Sequence, residues 1–414
     1  MSCSRTIGRV GCVLAGLLAI VGCASDAPDA DTNGSLGAQV KGAMSELIID
    51  GEFELQPYEL PDGQGYRHIA TAINEAKEEL IIYGGLGSCF GPACPVNDTV
   101  YTLDLSEPPL EQDWQPRSVD DVVSRPWFTS TRGFVEFDDE YYLACDDQNI
   151  DIVYGFDPDT YQFQAASTSP LGLEHQSGDC CAVGVTIPNS RDGHVVHEDR
   201  IYILGGRNEF GTPDQEDPVT DVRYYSVTFD EWKQVEDLNV ARSHLGCVAA
   251  ERRGVSLIYA IGGGNSPAGE VLRSIEIYDV SKDKWTLHDD YFPEGQGRQR
   301  LGVQNLDNKY LMLIGGDSTC AGGGGANCEP DQPLTWVDLI DIKKNNRLIS
   351  DDSLIPQLQI PRQTPGTMLI RLNGHGPKYS LFVVGGRTRD SEGLGALTTT
   401  EVLSFHRIEV QNLH

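Results

Sequence analysis

Five Gly-Gly doublets, each closing a short apolar run, recur down this chain and constrain its fold more than any other feature. They read IIYGG (Gly84, Gly85), IYILGG (Gly205, Gly206), LIYAIGG (Gly262, Gly263), YLMLIGG (Gly315, Gly316) and LFVVGG (Gly385, Gly386). Runs of Ile, Val, Tyr and Leu favour buried extended strands, and paired glycines allow a sharp exit where side chains would clash. A sixth run, Tyr141 to Ala144, has the same shape but ends in Cys145-Asp146. Counting it, successive strand ends lie 61, 60, 57, 53 and 70 residues apart. Repeats of roughly 50 residues with this signature imply a β-propeller, one unit per blade.

The second half of each unit agrees. A polar loop follows the doublet, then a strand with Tyr or Phe, then an aromatic residue. The pairs are Tyr101 with Trp114, Tyr154 with Phe163, Tyr225 with Trp232, and Tyr278 with Trp285. Gly-Gly, then Tyr, then Trp resembles the kelch-repeat family across nearly all of residues 46–414. The pattern weakens in unit two, which lacks the doublet, and in units five and six, which lack Trp in that register. The resemblance implies an all-β, six-bladed propeller. The last unit ends too near His414 to supply a fourth strand, whereas Leu47 to Gln56 reads as a strand with no preceding partner. This N-terminal strand is therefore expected to complete the final blade and remove a free sheet edge.

The start of the chain reads differently. Arg5 and Arg9 precede an apolar stretch, Val10 to Val21, too short to span a bilayer. It ends in Ile20-Val21-Gly22-Cys23, which resembles the lipobox of bacterial lipoproteins. Residues 1–22 are thus expected to be a lipoprotein signal peptide, with Cys23 the lipidated residue of an outer-membrane lipoprotein. Residues 23–45, rich in Ala, Asp, Gly and Ser, read as a flexible tether. Asp29, Asp31, Asn33 and Gly34 open like a calcium loop, but Val40 stands where its closing Glu belongs.

In a four-stranded meander, the loops from strand d to the next strand a and from b to c share one face. Unusual residues gather in those loops. Near the start of strand a, the units offer Arg67, Arg125, Arg191, Arg242, Arg298 with Arg300, and Arg362. Four follow the register Arg, three residues, then Gly or Thr, at Arg125, Arg242, Arg298 and Arg362. Strand a is innermost, so these side chains are expected around the channel mouth. Kelch domains that capture acidic ligands use arginines at similar places, and a planar guanidinium fork suits a carboxylate. The competing reading is structural, with the same arginines bonded to loop carbonyls or neighbouring carboxylates. His68, His194 and His244 fall near the same point, as acid–base candidates or as structural residues.

Eight cysteines follow Cys23, in a compartment that favours disulfides if the signal is used. Cys89 with Cys94, and Cys320 with Cys328, each share a b–c loop. Cys145 is expected to pair with Cys180 or Cys181, leaving the other for Cys247, against a vicinal Cys180–Cys181 bond. No second half follows C-x₄-C or C-x₇-C to complete a zinc site, and no metal or cofactor is expected.

Acidic residues number 62 against 31 basic ones, a formal charge of −31. Such a body repels nucleic acid and anionic membrane surfaces, leaving the lipid as the membrane contact. No nucleophile elbow, zinc-protease helix or phosphate loop is present. The sequence therefore points to a cell-envelope binding module for a carboxylated sugar, acidic glycan or acidic protein segment. The alternatives are a periplasmic sugar-processing enzyme similar to the kelch-type sialic acid mutarotases, and a protein-interaction scaffold.

Overall fold

The computed structural model describes residues 46–60, 63, 65–87, 97–106, 112–119, 134–137, 140–145, 152–168, 179–191, 194–207, 218–265, 271–318, 332–372, 378–390 and 393–410. Lipidation at Cys23, the tether and its calcium-like run, Arg125, and the pairs Cys89–Cys94 and Cys320–Cys328 lie outside these residues. Within them, six four-stranded antiparallel sheets form the blades of a propeller.

In order a to d, blade 1 comprises Ala70–Asn74, Glu79–Tyr83, Val100–Asp104 and Gln115–Arg117. Blade 2 comprises Val135–Phe137, Glu140–Leu143, Ile152–Asp157 and Gln162–Thr168. Blade 3 comprises Cys181–Arg191, His194–Leu204, Val222–Ser226 and Glu231–Gln234. Blade 4 comprises Gly246–Arg252, Val255–Ile261, Ile275–Asp279 and Lys284–His288. Blade 5 comprises Gly302–Leu306, Tyr310–Ile314, Val337–Asp341 and Arg347–Ile349. Blade 6 takes Gly366–Arg371, Tyr379–Val384 and Thr399–Phe405 from the end of the chain and Phe53–Glu59 from its beginning.

The N-terminal strand thus closes the ring, pairing Phe53 with Leu403 and Leu55 with Glu401. It starts later than Leu47. Residues Glu46–Ile49 instead pair with Arg407–Val410 in a separate two-stranded ribbon, so the clasp is made twice. Neighbouring blades cover both faces of the b strands, which is why these read as unbroken apolar runs; Tyr310–Ile314 is buried throughout. Of the four aromatic pairs, Tyr225–Trp232 and Tyr278–Trp285 sit directly opposite one another on strands c and d, whereas Tyr101 faces Pro116 and Tyr154 faces Ala165. Tyr225 and Trp232 have ring centroids 5.3 Å apart, and Tyr278 and Trp285 4.9 Å. Each Trp then reaches outside its blade: Trp285 Nε1 donates to Glu236 O (2.8 Å) and Trp232 Nε1 to Ser167 Oγ (3.1 Å). Among the described residues, no helix is long and apolar enough to cross a bilayer.

The doublets are sockets between blades. A Cβ on Gly262 (φ +58°) would lie 2.0 Å from the Arg298 carbonyl oxygen, where the next blade's incoming loop passes. The Gly263 N–H donates to that same oxygen at 2.8 Å. The contact recurs from Gly206 to Arg242 O (2.9 Å), Gly316 to Arg362 O (2.9 Å) and Gly386 to Tyr66 O (2.8 Å). Only glycine combines the left-handed backbone with so close an approach. At the blade 2–blade 3 junction the doublet is missing, and Ala144-Cys145 stands in its place. Cys145 keeps the left-handed conformation (φ +72°) and joins the next blade covalently, through a disulfide to Cys180. Cys181 is bonded to Cys247 on strand a of blade 4, so blades 2, 3 and 4 form one covalent chain. The sequence left open which of the adjacent two cysteines pairs with Cys145; the structure pairs it with Cys180 and leaves Cys181 for Cys247, in place of a vicinal bond.

Candidate functional site

The d–a and b–c loops meet on one face, as the strand parity requires. Isolated bridges join Arg67 to Leu86, Ser243 to Gly264, Gln299 to Asp317 and Gln363 to Arg387. One residue after each d–a bridge position, the chain enters the left-handed region. His68, Asp179, His244, Arg300 and Thr364 have φ between 50° and 60°. Their peptide groups link into a collar. His244 N donates to Asp179 O (2.9 Å), Arg300 N to His244 O (2.8 Å), Thr364 N to Arg300 O (2.7 Å) and His68 N to Thr364 O (3.0 Å). The counterpart in blade 2 lies outside the described residues. Non-glycine residues, a β-branched Thr among them, are costly in this conformation, and such strain gathers at sites the surrounding structure over-determines.

The collar carries chemistry. His244 Nε2 lies 3.0 Å from Asp179 Oδ2, and Arg207 Nε approaches the same oxygen at 2.8 Å. Ser243 Oγ lies 3.2 Å from His244 Nδ1. With Nε2–H donating to Asp179, Nδ1 is left to accept from that hydroxyl. Arg67 donates to His68 Nε2 at 3.1 Å, and Arg300 bonds to Asp317 Oδ2 (2.9 Å) and Gln363 Oε1 (3.4 Å). Burial pushes the His244 imidazole down to about 4, against the upward pull of Asp179. Burial, then Arg67, push His68 well below the ordinary imidazole range. Burial opposes the charge on Asp179, yet His244 and Arg207 together hold its carboxyl well below the usual carboxylate range. Near neutral pH the collar therefore combines guanidinium groups, carboxylates and two neutral imidazoles.

Residues 193–239 and 256–287, in blades 3 and 4, match the Kelch motif family model. The chain is a kelch-repeat protein. It is 32% identical over 94 residues to Kelch-like protein 34 of Homo sapiens, covering 21% of this chain and 14% of that one. Against alpha-scruin of Limulus polyphemus it is 26% identical over 134 residues, 31% of this chain and 14% of that protein. Against F-box/kelch-repeat protein OR23 of Arabidopsis thaliana it is 29% identical over 157 residues, 35% and 33% of the two chains. The chain thus spans a third or less of these relatives. The solved structure of YjhT superposes with a TM-score of 0.54 at 14% identity, covering 83% of this chain and 95% of that one. That likeness concerns the fold alone.

The kelch arginines do not form one ring. Arg242, Arg298 and Arg362 share a register but turn away from the mouth and are fully buried. Arg242 donates to Gly262 O (2.7 Å) and pairs with Glu276 (2.7 Å) on strand c of its own blade. Glu276 in turn accepts from the Asn239 and Val240 backbone N–H groups, at 2.8 and 3.0 Å. Arg362 repeats the arrangement with Gly385 O (2.7 Å) and Glu401 (2.5 Å), and Arg298 pairs with Asp338 at 2.6 Å. Their backbone oxygens fill the previous blade's glycine socket while their side chains clamp their own. Such wiring matches the structural alternative read from the sequence.

The other candidates divide. Arg67 sits one position later, at the bridge, and Arg300 one later still, on the collar. Arg191 and His194 were expected at the start of a strand a; they flank the a–b turn of blade 3 instead, on the opposite face. Asp179 takes the collar position in blade 3. It was missed because it is acidic where a basic residue was sought, although Asp179-Cys180-Cys181 aligns with His244-Leu245-Gly246. Arg207, directly after its doublet, was missed because arginines were sought only near the start of strand a. Among the described residues, no three His, Cys, Asp or Glu side chains are placed to hold a metal ion. A cleft of about 450 Å³ between Ile49–Phe53 and residues 352–357, beside the clasp, contains none of the predicted site residues.

Proposed function

We propose that this kelch propeller is a binding module of the cell envelope, anchored through Cys23, that takes an acidic ligand at its collar. The ligand class is a carboxylated sugar, an acidic glycan or an acidic protein segment. The observation that carries the reading is the placement of Arg300. Unlike the sealed arginines one and two positions earlier in other blades, its side chain is 22% exposed, and it sits on the collar beside His244. A guanidinium there offers a charged, forked donor set to a carboxylate on an otherwise acidic body. Isothermal titration of residues 46–414 with uronic and other carboxylated sugars, against their neutral counterparts, tests it. Saturable binding of the acids alone, weakened at least tenfold by Arg300→Gln, is the expected result. Equal binding of neutral sugars, or none of either with an intact fold, refutes it.

A second reading, a sugar-processing enzyme, is favoured by the His244–Asp179 pair. A neutral imidazole oriented by a carboxylate is a competent proton acceptor. Turnover of a bound sugar, abolished by Asp179→Asn without loss of binding, would distinguish catalysis from capture.

A further inference from the structure

We infer that the propeller face opposite the collar, over blades 4 to 6, docks on an anionic phospholipid bilayer. The a–b and c–d turns make up that face. Six of the nine lysines in the chain, Lys282, Lys284, Lys309, Lys343, Lys344 and Lys378, lie in or beside those turns of blades 4, 5 and 6. Lys309 is half-buried, the other five are exposed, and the exposed Arg253, Arg347 and Arg371 lie in the same turns. Acidic residues there are largely engaged from within. Asp283 accepts from the Tyr278 hydroxyl (2.6 Å) and Glu236 N (2.9 Å), and Asp307 accepts from the Tyr379 hydroxyl. Asp341 caps the turn Ile342–Lys344, and Asp279 pairs with Lys282. Exposed Glu251 lies within the sector, and Asp50 and Glu52 of the clasp mark its limit. The corresponding turns of blades 1 and 2 carry the opposite sign, with Glu75, Glu78, Asp104, Glu136, Asp157 and Asp159 against Lys77.

The formal charge of −31 is therefore unevenly spread. At physiological ionic strength charges act over about 8 Å, so a surface touching this sector feels its lysines and not the distant carboxylates. Ammonium groups on flexible stems suit many phosphates at no fixed spacing. Apolar side chains bracket the sector. Three large apolar side chains are exposed among the described residues, and two of them, Val195 (74%) and Leu372 (40%), stand at a–b turns of this face, in blades 3 and 6. A glycan would answer the lysines alone, whereas a bilayer also offers an apolar layer beneath its phosphates. Val195 is carried outward: strands a and b make eleven pairs in blade 3 and seven in blade 4, both counted from the doublet. Four extra pairs project this hairpin by about 13 Å, enough to cross a headgroup layer. Strand c of blade 6 ends at the same face, and Arg407–Val410 beyond it pairs with Glu46–Ile49. A chain lipidated at Cys23 would thus join the propeller beside the docking face.

The test uses residues 46–414, which hold the whole closed ring and no lipidation site. Sedimentation is measured with sucrose-loaded vesicles of phosphatidylcholine alone, and of phosphatidylcholine with phosphatidylglycerol in a two-to-one ratio. Binding to the mixed vesicles only, released by salt at about 1 M, is expected. Lys343→Glu with Lys344→Glu should weaken partitioning at least tenfold. Val195→Ser with Leu372→Ser should weaken it about threefold and leave the salt dependence unchanged. Failure of the wild-type domain to sediment, undiminished binding by the lysine double variant, or binding to polyglutamate but not to vesicles overturns the inference. Should that variant fail to fold, Lys282→Glu with Lys284→Glu takes its place. Vesicle binding is measured without sugars and sugar binding without vesicles, so this face and the collar can fail separately.

Discussion

Replacing Arg362 by Met should damage the fold, whereas replacing Arg300 by Gln should damage binding. Arg362 is fully buried, donates to Gly385 O and pairs with Glu401, which is itself fully buried and accepts from Gln359 N at 2.7 Å. Methionine fills much of the same volume but leaves the Glu401 carboxylate without its counter-charge. Breaking a buried pair in this way costs about 3–5 kcal/mol. The folded unit, Ser45–His414, has about 370 residues. At about 2.1 cal/mol/K of unfolding entropy per residue, the expected loss is about 4–6 °C in Tm. Arg300→Gln retains a donor for Asp317 and touches no socket, so its Tm should stay within about 2 °C while acid affinity falls. Calorimetry on both variants, with titration of the same carboxylated sugar, reads the two effects independently. An Arg362→Met protein with unchanged Tm and lost affinity would refute the assignment of this arginine to the joint. It would return Arg362 to the ligand set.

Other perturbations probe the remaining joints. Gly262→Ala would press a methyl group against Arg298 O and hold alanine at positive φ; a loss of at least about 2 kcal/mol in urea unfolding is expected. Cys181→Ser with Cys247→Ser removes a bond spanning 66 residues and should cost about 4 kcal/mol on the chain-entropy model, seen as a lower Tm insensitive to reductant at that site. His244 titrates at about 4 when folded and near 6.5 when unfolded, so the unfolded chain takes up its proton first as pH falls. Stability should therefore be complete above about pH 6.5 and decline toward pH 4, by at most about 3 kcal/mol from this group. His244→Gln should flatten that limb of the pH–stability curve. Removing residues 46–59 takes strand d from blade 6 and exposes the Thr399–Phe405 edge; size-exclusion chromatography should then show self-association.

The fold was legible because its joints are written in residues that few other positions tolerate. A doublet after an apolar run marks the end of strand b, and its spacing counts the blades. The clasp was legible as a strand without a partner, but its limits were not. The choice between residues 47–56 and Phe53–Glu59 rests on a register with Thr399–Phe405, more than three hundred residues away. In the sequence the missing doublet of unit two reads one residue late, as Cys145-Asp146, because Ala144 extends the apolar run; the structure puts Ala144-Cys145 there, with Cys145 in the left-handed conformation.

The site was less legible, for a reason that follows from the same joints. Arginine recurs before strand a because its carbonyl enters one glycine socket and its guanidinium closes the next, as Arg242 does with Gly206 and Gly262. Recurrence in a repeat protein measures what every blade needs for packing. A ligand, in contrast, is bound once, by residues that differ from blade to blade at an equivalent position. The collar has that character: His68, Asp179, His244, Arg300 and Thr364 share one backbone conformation but between them carry two imidazoles, a carboxylate, a guanidinium and a hydroxyl. Ranking candidates by how often a residue type recurs therefore selects the joint and passes over Asp179. Aligning the units on strand a and asking where they disagree would have found all five collar residues from the sequence.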